Sequence, residues 1–356
     1  MTDHRSQVLE QLPTPADLRA ELPLDAAATE LVRRSRHDLT ELLAGRDDRL
    51  ALVAGPCSVH EPAGALAYAE KLAALAAESA DSLIVVMRVY VEKPRTRLGW
   101  KGLVGDPHLD GSHDLAEGLR LARRLMIDVT TAGLPVACEF LDPFIAPYLA
   151  DLVTWGSIGA RTVQSQPHRQ LASGLSMPLG VKNPTSGRVE DAVDALVAAG
   201  AGHVGPGLDG QGRAAVVATT GNPDCHVVLR GHSGGPNYSA VDVARTLRVL
   251  AAADLPPRVF VDASHGNSGK DPERQKVVVA DLARRLAAGE PGVLGVMLES
   301  FLVPGRQDPS PGRLAELVPG QSITDACLGW DETTALAHQL AAAVAARRTL
   351  PLVAAS

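Results

Sequence analysis

Eight short apolar segments follow one another along the chain from Leu50, and stretches with helical spacing of apolar residues separate most of them. Near-continuous apolar runs are typical of strands buried on both faces, and strands that alternate with helices indicate parallel βαβ units. The pattern therefore predicts an α/β fold, a (β/α)8 or TIM barrel. The predicted strands read LALVAG, LIVVMR, LPVACE, SIGAR, PLGVK, HVVLR, RVFVDASH and VLGVMLE. The predicted helices span 63–79, 114–131, 143–155, 189–199, 239–253, 271–288 and 332–347.

Two segments stand outside this alternation. Residues 1–48 precede the first strand and carry one amphipathic pattern, around 26–43, which predicts an N-terminal helical extension. The extension would either contact a neighbouring subunit or close the bottom of the barrel, and the sequence favours neither. Within the barrel, predicted over 49–356, a glycine-rich segment at about 201–224 holds two weak β patterns and predicts a β-hairpin inserted before strand six.

Each predicted strand ends at, or within a few residues of, a side chain that can bind a phosphate or a metal ion. The active site of a (β/α)8 barrel lies at the carboxyl ends of its strands, so these side chains are expected at one mouth. They are Cys57, Arg88, Glu139, Arg161, Lys182, Arg230, His265 and Glu299.

Seven cations lie at or just beyond these strand ends. Arginine suits phosphate and carboxylate because its planar guanidinium donates two parallel hydrogen bonds. Any one of these residues could instead be a salt-bridge partner. So many convergent cations would repel one another without an anionic ligand, which indicates at least one multiply charged substrate, and their spread suggests two. The set is Arg88, Lys93, Arg95, Lys101, Arg161, Lys182 and Arg230.

A metal site is predicted from position alone, because the candidate ligands show no ligand-spacing motif. Cys57, His265 and Glu299 follow strands one, seven and eight, which are neighbours in a closed barrel, and Asp325 comes soon after. One thiolate, one imidazole and two carboxylates suit a divalent Mn, Fe, Co or Zn ion without singling one out. Taken singly, each would be explained as a buried structural cysteine or a packed polar residue.

Composition narrows the class of partner. The chain has 356 residues, of which 46% are hydrophobic, and a formal net charge of −7. That charge argues against nucleic acid as a partner. No apolar stretch approaches the roughly 20 residues that span a bilayer, so no membrane association is predicted. The four cysteines form no CxxC pair, and a reduced, cytoplasmic protein is expected.

Ten short motifs follow one another along nearly the whole chain: GPCSVH (55–60), MRVYVEKPRT (87–96), GWKG (99–102), EFLD (139–142), GART (159–162), KNPT (182–185), LRG (229–231), DASHGNS (262–268), VMLES (296–300) and SITDACLGW (322–330). Taken in this order, they resemble one family, the metal-dependent, N-terminally extended type I class of 3-deoxy-D-arabino-heptulosonate 7-phosphate (DAHP) synthases.

The resemblance implies that phosphoenolpyruvate condenses with D-erythrose 4-phosphate to give DAHP and phosphate, the first step of the shikimate pathway. It implies that Arg88, Lys101, Arg161, Lys182 and Arg230 bind phosphoenolpyruvate. Glu139 would position a water near C2 of that substrate, and Arg95 and Thr96 would hold the sugar phosphate. Cys57, His265, Glu299 and Asp325 would bind the metal, His265 also counting among the catalytic residues. Lys93 is the best candidate to donate a proton to the developing alkoxide.

Two alternatives remain beside this reading. One is a synthase of the same type that uses another aldose phosphate, such as arabinose 5-phosphate, although the KPRT segment argues against it. The other is a non-catalytic barrel that acts as a binding or regulatory partner, although no metal ligand or key cation is lost. A homodimer or homotetramer is expected.

The inserted hairpin departs from the family pattern. In regulated members it carries bulkier side chains and helps to form a pocket for an aromatic amino acid. Ser176 matches a pocket position, yet Gly205 and Gly207 are expected to leave its opposite side open, because glycine has no side chain to form an apolar wall. We therefore expect weak or absent feedback by aromatic amino acids, compatible with a role in secondary metabolism.

Overall fold

The computed structural model describes residues 5–309 and 314–351, so the ends of the predicted extension and barrel, 1–4 and 352–356, lie outside the described residues. The strands are β1 (Leu50–Gly55), β2 (Leu83–Arg88), β3 (Val136–Glu139), β4 (Val153–Ile158), β5 (Leu179–Lys182), β6 (Val204–Leu208), β7 (Ala214–Ala218), β8 (Cys225–Leu229), β9 (Val259–Asp262), β10 (Val293–Glu299), β11 (Val303–Arg306) and β12 (Gln321–Ser322). The helices are α1 (Pro15–Glu21), α2 (Ala26–Leu43), α3 (Pro62–Glu78), α4 (Leu115–Thr131), α5 (Ala146–Leu149), α6 (Gln166–Gly174), α7 (Val189–Gly200), α8 (Ala240–Ala252), α9 (His265–Ser268), α10 (Pro272–Ala287) and α11 (Trp330–Arg348).

Eight of the strands close into a barrel in the order β1-β10-β9-β8-β5-β4-β3-β2, and every pair in it is parallel. The predicted (β/α)8 class is therefore confirmed. The apolar residues of every barrel strand except β5 divide between two clusters. One packs between the barrel and its helices, and a smaller one fills the barrel interior. This two-sided burial is why the strands read as continuous apolar runs rather than as alternating ones.

The segment 143–155 is where the predicted elements are wrong. Instead of one long helix, the structure has the single turn α5, followed by β4, which begins at Val153 and includes Trp155. A short apolar run does not distinguish a strand from a buried helix by its periodicity. Pairing with β3 and β5 on either side decides the outcome here. Helices α1, α6 and α9 and strands β11 and β12 were also not predicted.

Helix α2 lies across the amino-terminal end of the barrel. Asp25 caps its first turn, its side chain accepting a hydrogen bond from the backbone of Ala28 (2.7 Å). At the other end of the helix, Leu39, Leu42 and Leu43 are buried in the interior cluster. Arg36 also donates to the Val153 carbonyl (2.7 Å). The helix thus closes the barrel bottom, and contact with another subunit stays a prediction.

Between α7 and β8, strands β6 and β7 form an antiparallel hairpin outside the barrel, with Val204 opposite Ala218 and Leu208 opposite Ala214. Val204 and Val216 on this hairpin are 72% and 82% exposed. The hairpin interrupts the βα alternation without entering the barrel. In the described part of the chain, we find no helix with the length and apolarity needed to span a membrane.

Candidate active site

The carboxyl ends of the barrel strands enclose a cavity, here called the mouth cavity. Three of its charged residues are almost completely buried: Arg88 is 1%, Lys182 3% and Glu299 2% exposed. All eight residues predicted at strand ends lie together in it. The lining consists of Cys57, Arg88, Tyr90, Glu92, Lys93, Pro94, Glu139, Leu141, Gly159, Ala160, Arg161, Thr162, Lys182, Thr185, Arg230, His265 and Glu299.

Three predicted residues of the loop after β2 do not line the mouth cavity. Arg95, Thr96 and Lys101 are all exposed. Arg95 donates to the backbone carbonyl of Trp100 (2.7 Å), and Thr96 accepts a hydrogen bond from Arg161 (3.0 Å). That contact places the loop at the rim of the cavity, beside Arg161, which follows β4.

Buried cations and carboxylates pair across the cavity. Arg88 lies 3.1 Å from Glu299, and Lys182 lies 3.1 Å from Glu139. Burial alone would raise the pKa of Glu139, but the Lys182 ammonium, together with its neighbours His265 and Arg88, outweighs burial, and the pKa falls below the ordinary value. Glu139 is therefore ionised at neutral pH, despite being only 6% exposed.

Local backbone features place these groups. A Cβ at Gly159 would lie 2.3 Å from Glu139 Oε1, so only glycine leaves room for that carboxylate. Gly55 has φ +156°, and a Cβ there would lie 2.7 Å from the Arg88 carbonyl oxygen. Next to Lys182, the Asn183 side chain accepts a hydrogen bond from the backbone N–H of Arg230 (2.9 Å), which fixes the start of the loop after β8.

The predicted metal ligands also meet at the mouth. Ligand atoms of Cys57, Glu299 and Asp325 lie within 4.8 Å of one another. His265 is outside that group, but its Nε2 lies 3.5 Å from Glu299 Oε1. Its Nδ1 lies 2.8 Å from Asp262, a carboxylate of 0% exposure. A histidine held through one nitrogen by a buried carboxylate presents the other nitrogen to a metal, so the donor set fits a divalent transition metal.

Cations surround this donor set as well. Lys93 Nζ lies 2.8 Å from Cys57 Sγ and 3.3 Å from Asp325, and Lys270 lies 3.1 Å from the other Asp325 oxygen. Burial, and next the charge of Glu299, raise the pKa of the Cys57 thiol to about 11. Metal binding through this thiolate would therefore release a proton.

Sequence reasoning missed Tyr90, Glu92, Asp262 and Lys270. Asp262 could have been found, because it lies three residues before His265 and a ligating histidine usually donates to such a carboxylate. The other three had no comparable signal. Their place at the site follows from loop paths beyond β2 and β9 that no periodicity reports.

A second cavity, of about 380 Å³, lies between the β6–β7 hairpin and helices α5 and α6. Gly205 and Gly207 line it, so the hairpin borders a pocket, although these two residues contribute no side chain to its wall. Pro143, Pro147 and Leu171 on the facing elements supply apolar wall that the glycines lack. Ser176 instead lines a neighbouring cavity, beside Arg36 and Asp151.

Known proteins resemble this chain over almost its full length. The family model described as the DAHP synthetase I family matches residues 22–338. The Phe-sensitive phospho-2-dehydro-3-deoxyheptonate aldolase of Escherichia coli K12 is 49% identical over 346 residues, covering 97% of this chain and 98% of that protein. The phospho-2-dehydro-3-deoxyheptonate aldolase of Corynebacterium glutamicum is 48% identical over 352 residues, covering 98% and 95%.

A solved structure is similar to this chain in both fold and sequence. The phospho-2-dehydro-3-deoxyheptonate aldolase of Francisella tularensis SCHU S4 superposes with a TM-score of 0.93 at 45% identity, covering 96% of this chain and 99% of that one. With the family model matching most of its length, the chain belongs to the DAHP synthetase I family.

Proposed function

We infer that this chain is a DAHP synthase, which condenses phosphoenolpyruvate with D-erythrose 4-phosphate and releases phosphate, at the entry to the shikimate pathway. The observation that carries this inference is the mouth cavity. It combines two buried cation–carboxylate pairs with a cluster of metal-ligand atoms, in a chain 49% identical to a phospho-2-dehydro-3-deoxyheptonate aldolase.

The phosphoenolpyruvate site that we propose is built on Arg88 and Lys182 in the floor, with Arg161 and Arg230 nearer the rim. Removing such cations from water is unfavourable unless anions compensate, and their present carboxylate partners neutralise only part of the charge. A substrate with a phosphate and a carboxylate supplies the remainder. Lys101 is exposed and would contact this substrate only if its side chain turned inward.

Glu139 is proposed to orient the water that adds at C2 of phosphoenolpyruvate. Its pKa is lowered, so the carboxylate can accept a hydrogen bond from water, and Lys182 holds one of its oxygens (3.1 Å). C3 of the enol attacks the aldehyde carbon, water adds at C2, and the phosphate then leaves. The cations hold both substrates in line for this sequence.

Cys57, His265, Glu299 and Asp325 are the residues that we propose hold one divalent metal, Mn, Fe, Co or Zn. Bound there, the metal would act as a Lewis acid on the aldehyde carbonyl. Lys93 is the proposed proton donor to the alkoxide that forms. Cys57, Glu299 and Asp325 keep the pKa of Lys93 above its ordinary value despite burial, so it carries its proton at neutral pH.

Arg95 and Thr96 are proposed to bind the phosphate of the sugar. Both are exposed at the rim, and Thr96 already accepts a hydrogen bond from Arg161 (3.0 Å). The two phosphates would then lie on either side of Arg161, so this side chain would couple the sites.

The test is phosphate release from phosphoenolpyruvate with erythrose 4-phosphate or with arabinose 5-phosphate, each with and without a chelator. We expect turnover with erythrose 4-phosphate, little with arabinose 5-phosphate, and loss of activity on chelation that added Mn²⁺ restores. Preference for the five-carbon sugar would support the alternative synthase. Turnover with neither sugar would support the non-catalytic barrel, and full activity after chelation would refute the metal.

We propose that feedback inhibition by aromatic amino acids is weak or absent, on the basis of Gly205 and Gly207. The cavity at the hairpin exists, yet Gly205 and Gly207 offer no side chain to grip an aromatic ring, and Val216 faces solvent. Turnover in the presence of millimolar phenylalanine, tyrosine or tryptophan tests this. Strong inhibition by any one of them would refute it.

Assembly as a homodimer or homotetramer, and residence in the cytoplasm, are proposed as well. Val8 and Leu9 of the extension are 86% and 82% exposed, which leaves apolar surface that a second subunit would cover. Sedimentation of the full chain tests this; a monomer at micromolar concentration would contradict it.

A further inference from the structure

Tyr90 lies in the floor of the mouth cavity, and the reaction described above gives it no task. It follows Arg88 by two residues, so both side chains leave the β2 extension on the same side. Its backbone carbonyl accepts the N–H of Val59 (2.9 Å), which continues the strand pairing beyond β2. The side chain is 2% exposed.

Two buried cations share the ring of Tyr90. The guanidinium carbon of Arg88 lies 4.0 Å from the ring centroid, and Lys182 Nζ lies 5.2 Å from it. Both distances are within the range of about 6 Å in which a cation is attracted by the ring face. The two residues come from β2 and β5, which are not neighbours in the barrel. Tyr90 is thus one residue that contacts both.

The ring itself is held in place. Its hydroxyl forms a hydrogen bond with Ser157 Oγ on β4 (3.0 Å), and Ser157 is 0% exposed. Burial raises the pKa of the Tyr90 phenol, so the group stays neutral. The cations therefore meet the quadrupole of a neutral ring.

Arg88 and Lys182 also have an electrostatic conflict, because each bears a positive charge within the same buried cavity. Each pairs with its own carboxylate, Glu299 for the arginine and Glu139 for the lysine, and the buried carboxylate of Asp262 acts on both. A carboxylate pulls each cation toward its own partner. The ring of Tyr90 is instead one face that both cations share, and all three residues line the mouth cavity.

We propose that Tyr90 is a positioning residue, whose ring face holds Arg88 and Lys182 in the arrangement that binds the anionic substrate. The proposal rests on the proposed function, since it takes phosphoenolpyruvate as that substrate. It assigns the effect to the ring face and not to the hydroxyl, whose part is to orient the ring through Ser157.

The decisive experiment replaces Tyr90 in the full-length, Mn²⁺-loaded enzyme by phenylalanine and then by mono-, di- and trifluorophenylalanine. Fluorine withdraws negative charge from the ring face with little change of shape. If Tyr90 had a purely structural role, the dissociation constant of phosphoenolpyruvate would therefore stay the same across the series. We expect Tyr90→Phe to bind phosphoenolpyruvate within about threefold of the parent, and the trifluoro ring to bind roughly tenfold more weakly than phenylalanine. Calorimetry gives the dissociation constants.

A matched series at Phe260 controls for fluorination of a buried ring. Phe260 is 0% exposed and stacks on Trp155 at the opposite end of the barrel, so its fluorination should leave phosphoenolpyruvate binding unchanged. Dissociation constants that stay level across the Tyr90 series would overturn the proposal. So would a KM for erythrose 4-phosphate that rises in step with that for phosphoenolpyruvate. If the parent enzyme itself binds no phosphoenolpyruvate, the proposed function fails instead.

Discussion

The two ends of the barrel use the same eight strands for opposite purposes. The carboxyl end gathers charge, with Arg88 and Lys182 buried beside carboxylates. The amino end is filled by an apolar plug, in which Trp155 and Phe260 stack with ring centroids 5.8 Å apart and an interplanar angle of 4°, under helix α2. Buried charge without its ligand is unfavourable, whereas buried apolar surface stabilises. Of the two ends, the amino end therefore contributes more to the stability of the barrel.

Two histidines show the difference most directly. At the amino end, burial lowers the pKa of His226 to about 3. Its Nε2 accepts from the Trp155 indole (3.1 Å), so Nδ1 carries the proton and faces the Asp224 carbonyl (3.2 Å). At the mouth, His265 meets a buried carboxylate and lies 3.5 Å from another. The partners, and not the residue type, make one histidine part of the core and the other a candidate ligand.

The largest effect is expected from removing a candidate metal ligand. Cys57→Ala should lower turnover roughly 1,000-fold, equivalent to about 4 kcal/mol of transition-state stabilisation, because the Lewis acid is lost. Activity and bound metal are measured together after reconstitution with Mn²⁺. Cys225→Ala is the control, since Cys225 is also buried but begins β8 at the amino end. Full metal content in Cys57→Ala would contradict the assignment.

Truncation in the plug should act on stability instead. Leu42 is 0% exposed in the interior cluster, so Leu42→Ala should lower the free energy of unfolding by about 3 kcal/mol through lost burial and a cavity. Turnover at low temperature should stay close to that of the parent. Val197→Ala, at a position 52% exposed, should change little and serves as the comparison in urea unfolding. A loss of turnover with unchanged stability would mean that the two ends are not separable.

A weaker effect at the mouth cavity is expected from removing the charge of Asp262, the carboxylate that contacts His265 Nδ1. Asp262→Asn keeps the size of the side chain but no longer holds Nδ1–H as strongly, so affinity for Mn²⁺ should fall about 10- to 100-fold. Titration calorimetry on the metal-free protein measures this directly. Asp194→Asn on the exposed side of α7 is the matched control. Equal affinity in both variants would show that His265 needs no such support.

The smallest effect concerns Glu92, whose carboxylate accepts the backbone N–H groups of Leu141 and Asp142 (both 3.2 Å). Burial raises its pKa from 4.5 to about 8, so the folded protein holds this proton more tightly than the unfolded chain. Stability should therefore fall as pH rises toward and through 8. Between pH 7 and pH 8 the loss should be about 1 kcal/mol greater than in Glu92→Gln.

Unfolding by urea at the two pH values measures that difference. Glu70→Gln, at an exposed position, should follow the parent. A Glu92→Gln variant that loses as much stability as the parent would show that the carboxyl is already ionised at pH 7.

Much of the mouth could be predicted because barrel geometry turns strand ends into neighbours. Cys57, Lys182 and Glu299 are far apart in the chain, yet each ends a buried strand or follows one within two residues, and they therefore meet. That argument stops where a loop leaves the strand. Lys101 is exposed and Ser176 lines a different cavity from Gly205, because a loop path depends on what it packs against.

The pattern of apolar runs and the residues that end them determined by themselves the barrel class, the end at which chemistry is expected and most of the charged residues there. The periodicity of strands buried on both faces is a property of the chain alone. Only the tertiary structure decided that Trp155 belongs to a strand, that α2 seals the bottom, and that Tyr90 contacts Arg88 and Lys182 together. These outcomes depend on contacts between segments distant in sequence, which local pattern does not encode.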